Sequence, residues 1–169
     1  VTWRFCSWLG CGRCDVAALA SYVTLSSAAL VSLVVGLWLY LTPHTYFPSL
    51  FAPTETELYN KAAELIPLLS LYVFADGVQT ALNGCIRGCG RQAVNMPDVL
   101  VAYWIIGLPL AIHLAFDEEC TTRCGDIGLV TGMTTGTWVH MLLLAVVFFF
   151  TTDWTKEAEK AHSRMLESK

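Results

Sequence analysis

Asp76, Thr80, Asn83 and Arg87 are spaced i, i+4, i+7 and i+11, which puts them on one face of a helix, with Gln79 beside them. They continue an apolar run, "LIPLLSLYV", that suits lipid rather than water. A carboxylate at bilayer depth costs at least about 2.5 kcal/mol, and such residues normally face a bundle interior or a wet cavity. An aspartate there can take up and release a proton as its surroundings change, or help hold a cation through oxygen ligands. Asp76, Gln79, Thr80 and Asn83 are therefore the candidate cation-coupling residues. A structural role is the alternative, with a hydrogen-bonded Asp76 locking two helices together.

Other features are read as architecture. Pro67, Gly77, Gly84 and Gly88 interrupt the same helix; Pro67 removes a backbone donor and favours a kink, and bent helices beside midplane polar groups are a transporter feature. Gly128, Gly132 and Gly136 repeat every four residues, a pattern for close helix approach and hence for packing. His113 and His140 read as hydrogen-bonded packing residues, and Asp98, after Pro97, suits the positive end of a helix. Of the seven cysteines, most lie in or beside apolar segments and read as small packing residues. Cys6, Cys11 and Cys14 match part of an iron–sulfur spacing but lack a fourth partner, and Cys120 and Cys124 could form a disulfide on an oxidising side. No metal or cofactor is expected beyond a coupling ion.

The elements that must position these residues follow from composition. The chain is 55% hydrophobic and 14% charged, with mean hydropathy +0.54, against about 25% charged in soluble domains. A net charge of −4 without a basic patch excludes a nucleic-acid partner. Four windows are long and apolar enough to cross a bilayer as helices: 16–41, 65–86 (holding Asp76), 99–116 and 127–150. Residues 1–15 form a flank and 151–169 a polar helical tail, capped by Asp153. Lys and Arg concentrate in the flank (Arg4, Arg13), the second connection (Arg87, Arg91) and the tail, which places both ends on the cytoplasmic side. The chain starts with Val rather than Met and reads as a fragment or an incomplete gene model. The fold class expected is an all-α membrane protein of four transmembrane helices.

At "DGVQTALNGCIRGCGRQ" followed by "YWIIGLPLAIHLAF", the sequence resembles the multidrug and toxic compound extrusion (MATE) family of secondary antiporters. Asp76, Gly77, Gln79, Gly84, Arg87, Gly88, Gly90 and Gln92 match the acid–Gly–x–Gln and Arg–Gly–x–Gly–x–Gln pieces of the family's tenth helix. Tyr103, Trp104, Gly107 and Pro109 match the aromatic pair and Gly–x–Pro of the next helix. "LGCGRCDVAALASYV" resembles the entry to the ninth helix, and "TDWTKEAEKA" the segment after the last helix in eukaryotic members. The resemblance implies helices nine to twelve of twelve, part of the C-terminal six-helix lobe. It implies a coupling role for Asp76, by protonation or by sodium binding. One departure stands at Asn95, Met96 and Val99, where the family usually has Gly–Ala and then Asn.

Function is thus expected to be that of part of an antiporter, not an enzyme, exporting xenobiotics or organic cations against protons, with sodium the alternative ion. Its partners would be the remaining helices of a full-length transporter, a small organic substrate and the lipid bilayer. Its site would be the plasma or vacuolar membrane. A non-transporting four-span scaffold is the competing class, and a membrane redox enzyme resting on Cys6, Cys11 and Cys14 is a third.

Overall fold

A computed structural model of the chain describes residues 14–42, 46, 56–116 and 125–151. Its long elements are α1 (Cys14–Leu41), α2 (Thr56–Gly88), a third span running from Gln92 to Phe116, and α5 (Asp126–Thr151). All four are long and apolar enough to cross a membrane. With no water in the hydrocarbon, every backbone polar group has to be satisfied within its own helix, which is why these apolar stretches fold as they do. Their hydroxyls follow the same rule. Ser21 Oγ donates to the Ala17 carbonyl at 2.9 Å, Thr24 to Ala20 at 2.7 Å, Thr131 to Ile127 at 2.7 Å and Thr134 to Val130 at 2.8 Å.

The helix α2 passes through Pro67 without interruption, and Ser70 Oγ donates to the Pro67 carbonyl at 2.6 Å. The departure from α geometry lies in the third span instead. That span begins as a short 3-10 turn (Gln92–Val94) and continues as α3 (Asn95–Val99). It then widens into a π-helical stretch, Leu100–Gly107, and ends as α4 (Leu108–Phe116). The Leu108 N–H bonds the Tyr103 carbonyl, five residues back. Pro109 lies at this junction and has no N–H for the Ile105 carbonyl, so one α-helical bond is missing where the span widens.

Helix α1 packs on α2, α2 on α5, and the third span on α5, so α2 and α5 form the centre. The core joins Ala75, Leu82, Cys85 and Ile86 of α2 to Met141, Leu144 and Phe148 of α5. Tyr22 of α1 meets Phe148 edge-on at 6.1 Å. The outer faces of α1 and the third span expose Leu30, Val31, Trp38, Trp104, Ile105 and Phe116, as lipid-facing or partner-facing surfaces should. Small residues set the close approaches. Gly77 lies against the side chain of Ser32, and a Cβ at Gly36 would stand 3.0 Å from the Ser70 carbonyl oxygen.

The end of α2 explains part of the "RGCGRQ" signature. Gly90 takes φ 74°, the left-handed region. This allows Arg91 N–H to bond the Ile86 carbonyl at 3.2 Å and Gly90 N–H the Arg87 carbonyl at 2.9 Å, a Schellman cap. Cys85 and Cys89 are buried thiols in this last stretch, in keeping with packing roles. Cys6, Cys11, Cys120, Cys124, the Cys14 side chain and the polar tail from residue 152 lie outside the described residues.

Candidate functional site

The first part of the site is built on α2. Asp76 and Gln79 stand one turn apart, and Gln79 Nε2 donates to Asp76 Oδ1 at 3.5 Å. The other end of the Gln79 amide reaches across to the third span, where Tyr103 Oη donates to Gln79 Oε1 at 3.4 Å. Tyr103 Oη also lies 3.3 Å from Thr137 Oγ1 of α5, and Thr137 donates to the Met133 carbonyl at 3.1 Å. These contacts are long for hydrogen bonds. They are also short of hydrogens: Tyr103 and Thr137 share two hydroxyl protons among three contacts. Either Tyr103 donates to Gln79, or it donates to Thr137 and leaves Gln79 Oε1 without its donor. A charged Asp76 favours the first arrangement, because it draws on Gln79 Nε2–H and makes Oε1 a better acceptor. The network can therefore respond to a change of charge at Asp76.

A glycine seam brings Tyr103 into this position. A Cβ on Gly132 would run into the backbone N, Cα and Cβ of Ala111 in α4. One on Gly136 would stand 3.1 Å from the Ala102 carbonyl oxygen, 3.2 Å from Tyr103 Cδ1 and 3.3 Å from Gly107 Cα. The stripe read as packing in the sequence is thus the seam between α5 and the third span at Gly132 and Gly136, and Tyr103 sits in the π-helical turn pressed against it.

The same seam carries a second polar group. The Tyr103 ring meets the His140 imidazole edge-on, with ring centres 5.5 Å apart. His140 is buried, at 3% exposure, and its Nε2 lies 3.3 Å from Asn95 Oδ1. Asp98, half-buried one turn after Asn95, interacts electrostatically with His140. His140 Nδ1 and Asp98 Oδ2 are both buried without a hydrogen-bond partner.

Of the residues picked from sequence, Asp76 and Gln79 come together. Asn83 is half-buried and its Oδ1 is buried without a partner. Thr80 is exposed, as is Arg87 at the helix end. The geometry explains the split: at about 100° per residue, Gln79, Asn83 and Asp76 fall within roughly 60°, while Thr80 lies about 100° from Gln79. His113 is exposed, on the outer part of the third span. Tyr103, Thr137, Asn95, Asp98 and His140 were not singled out for chemistry by sequence reasoning. One signal was available: His140 continues the four-residue repeat of Gly128, Gly132 and Gly136 onto the face that meets the third span.

An open cleft of about 650 Å³ lies among α1, α2 and α5, bordered by Leu37, Tyr40, Glu64, Phe74, Thr131 and Trp138. Neither Asp76 nor Gln79 borders it, so it is separate from the polar cluster. Among the described residues, no group of three or more His, Cys, Asp or Glu is placed to hold a metal ion.

Comparison with known proteins gives a consistent result. The family model described as MatE matches residues 5–113. The chain is 35% identical to Protein DETOXIFICATION 14 of Arabidopsis thaliana over 163 residues, 96% of this chain and 32% of the relative. It is 35% identical to Protein DETOXIFICATION 4 of the same plant over 150 residues, covering 83% of this chain and 30% of the relative. The crystal structure of the eukaryotic MATE transporter AtDTX14 superposes with a TM-score of 0.87 at 34% identity, covering 96% of this chain and 35% of that one. The chain thus spans about a third of the length of the relatives it matches.

Proposed function

The chain belongs to the MatE family, whose members are transporters rather than enzymes, and is an integral multi-pass membrane protein; on that premise we propose that it supplies the ion-coupling part of an antiporter that exports small organic molecules, organic cations among them. Its four spans take the place of helices nine to twelve in such a transporter. The remaining helices of the full-length protein are its structural partners. The Lys and Arg distribution supports an orientation with both chain ends on the cytoplasmic side, in a plasma or vacuolar membrane.

The observation that carries this reading is Asp76, a midspan carboxylate whose contact, Gln79, is itself tied to the third span through Tyr103. Gln79 turns its N–H toward Asp76 and its oxygen toward Tyr103. A donor facing the carboxylate suits a group that gains and loses a proton. A sodium site would instead gather oxygens around the ion, which makes the proton the better-supported ion. Coupling is then a matter of differential affinity: Asp76 holds the proton more tightly in one conformation than in the other, so proton entry drives substrate release. Family membership favours this over a four-span scaffold.

The test is a chimera in which these 169 residues replace the matched third of DETOXIFICATION 14. Proteoliposomes with an imposed pH gradient should extrude a fluorescent organic cation. Asp76→Asn should abolish that extrusion while leaving the amount of inserted protein unchanged. Undiminished extrusion by the variant would refute the coupling role.

A further inference from the structure

We propose that His140, bonded to Asn95 and packed against the Tyr103 ring, is a second proton-binding site, joined to Asp76 through Tyr103 and Gln79. Its assignment as a proton site stands on local geometry. Its role in transport rests on the reading of Asp76 given above.

Two buried atoms beside this seam lack hydrogen-bond partners. An imidazole at 3% exposure normally has both nitrogens satisfied. Here Nε2 is used, against Asn95 Oδ1 at 3.3 Å, and Nδ1 is not. An amide oxygen can only accept, so the hydrogen of a neutral His140 sits on Nε2 and Nδ1 is a bare lone pair. Asp98 Oδ2 is buried without a donor. A proton added to Nδ1 makes that nitrogen a donor and gives His140 a positive charge, which attracts the Asp98 carboxylate one turn beyond Asn95 on the same span. The proton comes from water and adds to the lone pair. No other bond forms or breaks, and release reverses the step.

The surroundings leave Asp98 as the controlling charge. The elements packed against α5 carry Asp98, Tyr103 and His113 on the third span and Tyr59, Lys61, Glu64, Tyr72, Asp76, Cys85 and Arg87 on α2, with Cys89 and Arg91 in the turn between them and Tyr22 of α1 meeting the far end of α5. Asn95 is a neutral partner. Among these groups Asp98 is the one that acts on His140 electrostatically, and Arg87 is exposed. The link to Asp76 runs through Tyr103. Its ring packs on His140 and its hydroxyl serves Gln79, which serves Asp76. Charging His140 and closing Asp98 onto it would pull on the α3 end of the span that carries Tyr103. The π-helical turn between them is a wide, adjustable stretch rather than a rigid rod. His140 is in this sense a positioning group for Asp76 as well as a proton site.

The experiment uses the 169-residue chain in lipid nanodiscs with nitrogen-15-labelled histidine. His140→Gln identifies the His140 resonances. The expected result is an imidazole protonated on Nε2 near neutral pH that becomes fully charged on acidification. In Asp98→Asn the ratio of charged to neutral His140 at a given pH should fall about tenfold, the effect of losing one nearby opposite charge. Asp98→Glu keeps the charge and should retain most of the ratio, which separates charge from fold. An unchanged ratio in Asp98→Asn, or a His140 that stays neutral down to pH values near the ordinary carboxylate range, would overturn the proposal. In Asp76→Asn His140 should still titrate but with a displaced midpoint, and an unmoved midpoint would remove the link to Asp76. Failure of this inference and failure of the Asp76 reading are therefore seen in different experiments.

Discussion

Gly132→Ala tests the packing on which the whole polar cluster depends. The added methyl would meet the Ala111 N, Cα and Cβ together. Two of these are backbone, so no side-chain rotation can relieve the overlap and the third span must move away from α5. Ordinary carbon contacts need about 3.5–4.0 Å, and a gap of even 0.5–1 Å forfeits roughly a quarter to a half of each neighbouring contact. The contacts at risk include Gly107 on Gly136, where a Cβ would stand 3.3 Å away, and Tyr103 on Gly136. Overpacking of this kind costs about 1–3 kcal/mol, with no hydrophobic drive inside the bilayer to resist separation. Gly136→Ala is the internal comparison. Its Cβ would meet neighbours at 3.1–3.3 Å, which a shift of a few tenths of an ångström relieves; we expect about 0–1 kcal/mol. The assay is denaturant unfolding of the chain in bicelles, followed by circular dichroism and by His140 resonances as a local probe of the seam. Ala111→Gly added to Gly132→Ala should recover only part of the loss, because the backbone overlap remains. A Gly132→Ala chain as stable as wild type, or one less affected than Gly136→Ala, would refute the reasoning.

Two further outcomes follow from the same geometry. Tyr103→Phe keeps the ring against Gly136 and His140 but removes the hydroxyl from contacts of 3.4 and 3.3 Å; these long bonds should cost about 1 kcal/mol of stability, while the pH dependence of extrusion by the chimera should shift, and an unaltered profile would remove Tyr103 from the coupling path. Gly90→Ala forces a side chain into φ 74° at the end of α2; the expected loss is about 1–2 kcal/mol, with Gly90→Asn less affected, measured in the same unfolding assay.

The spans were legible because bilayer thickness and apolar length are set by the same physics. Asp76 and Gln79 were legible as a pair because a helix fixes which residues share a face. The seam was legible in kind, since glycines at a four-residue repeat signal close approach, but not in partner. Nothing in "GLVTGMTTG" says that its neighbour is Ala111 rather than α1. The π-helical turn was hidden for a different reason. Pro109 announces a missing donor, but whether the helix breaks, bends or widens depends on what packs beside it. Pro67 presents the same deficit and leaves α2 continuous. Asn95 and His140 are 45 residues apart and each is unremarkable alone. Read singly, Asn95 was a departure from a family pattern, Asp98 a helix-start residue and His140 a packing residue. Their meeting depends on the seam, which only the tertiary structure supplies.

Burial in hydrocarbon gives the polar contacts between helices a meaning they would not have in water. Most hydroxyls of α1 and α5 close onto carbonyls of their own helix, at 2.7–3.1 Å. Two of them also meet another helix: Thr137 faces Tyr103, and the Ser21 hydroxyl meets the Cys85 thiol of α2. The bonds from Gln79 to Tyr103, from Tyr103 to Thr137 and from Asn95 to His140 all lie where α2, the third span and α5 converge. Each is 3.3–3.4 Å long, and three buried polar atoms beside or near them, Asn83 Oδ1, Asp98 Oδ2 and His140 Nδ1, lack partners. A cluster built only to lock helices would favour short bonds and complete pairing, because each unpaired buried atom costs about 1–3 kcal/mol. Long bonds, a shared shortage of hydrogens and unpaired atoms of opposite need describe instead a network with more than one arrangement of comparable energy. That is the property a coupling site requires, and it supports the coupling role proposed above for Asp76.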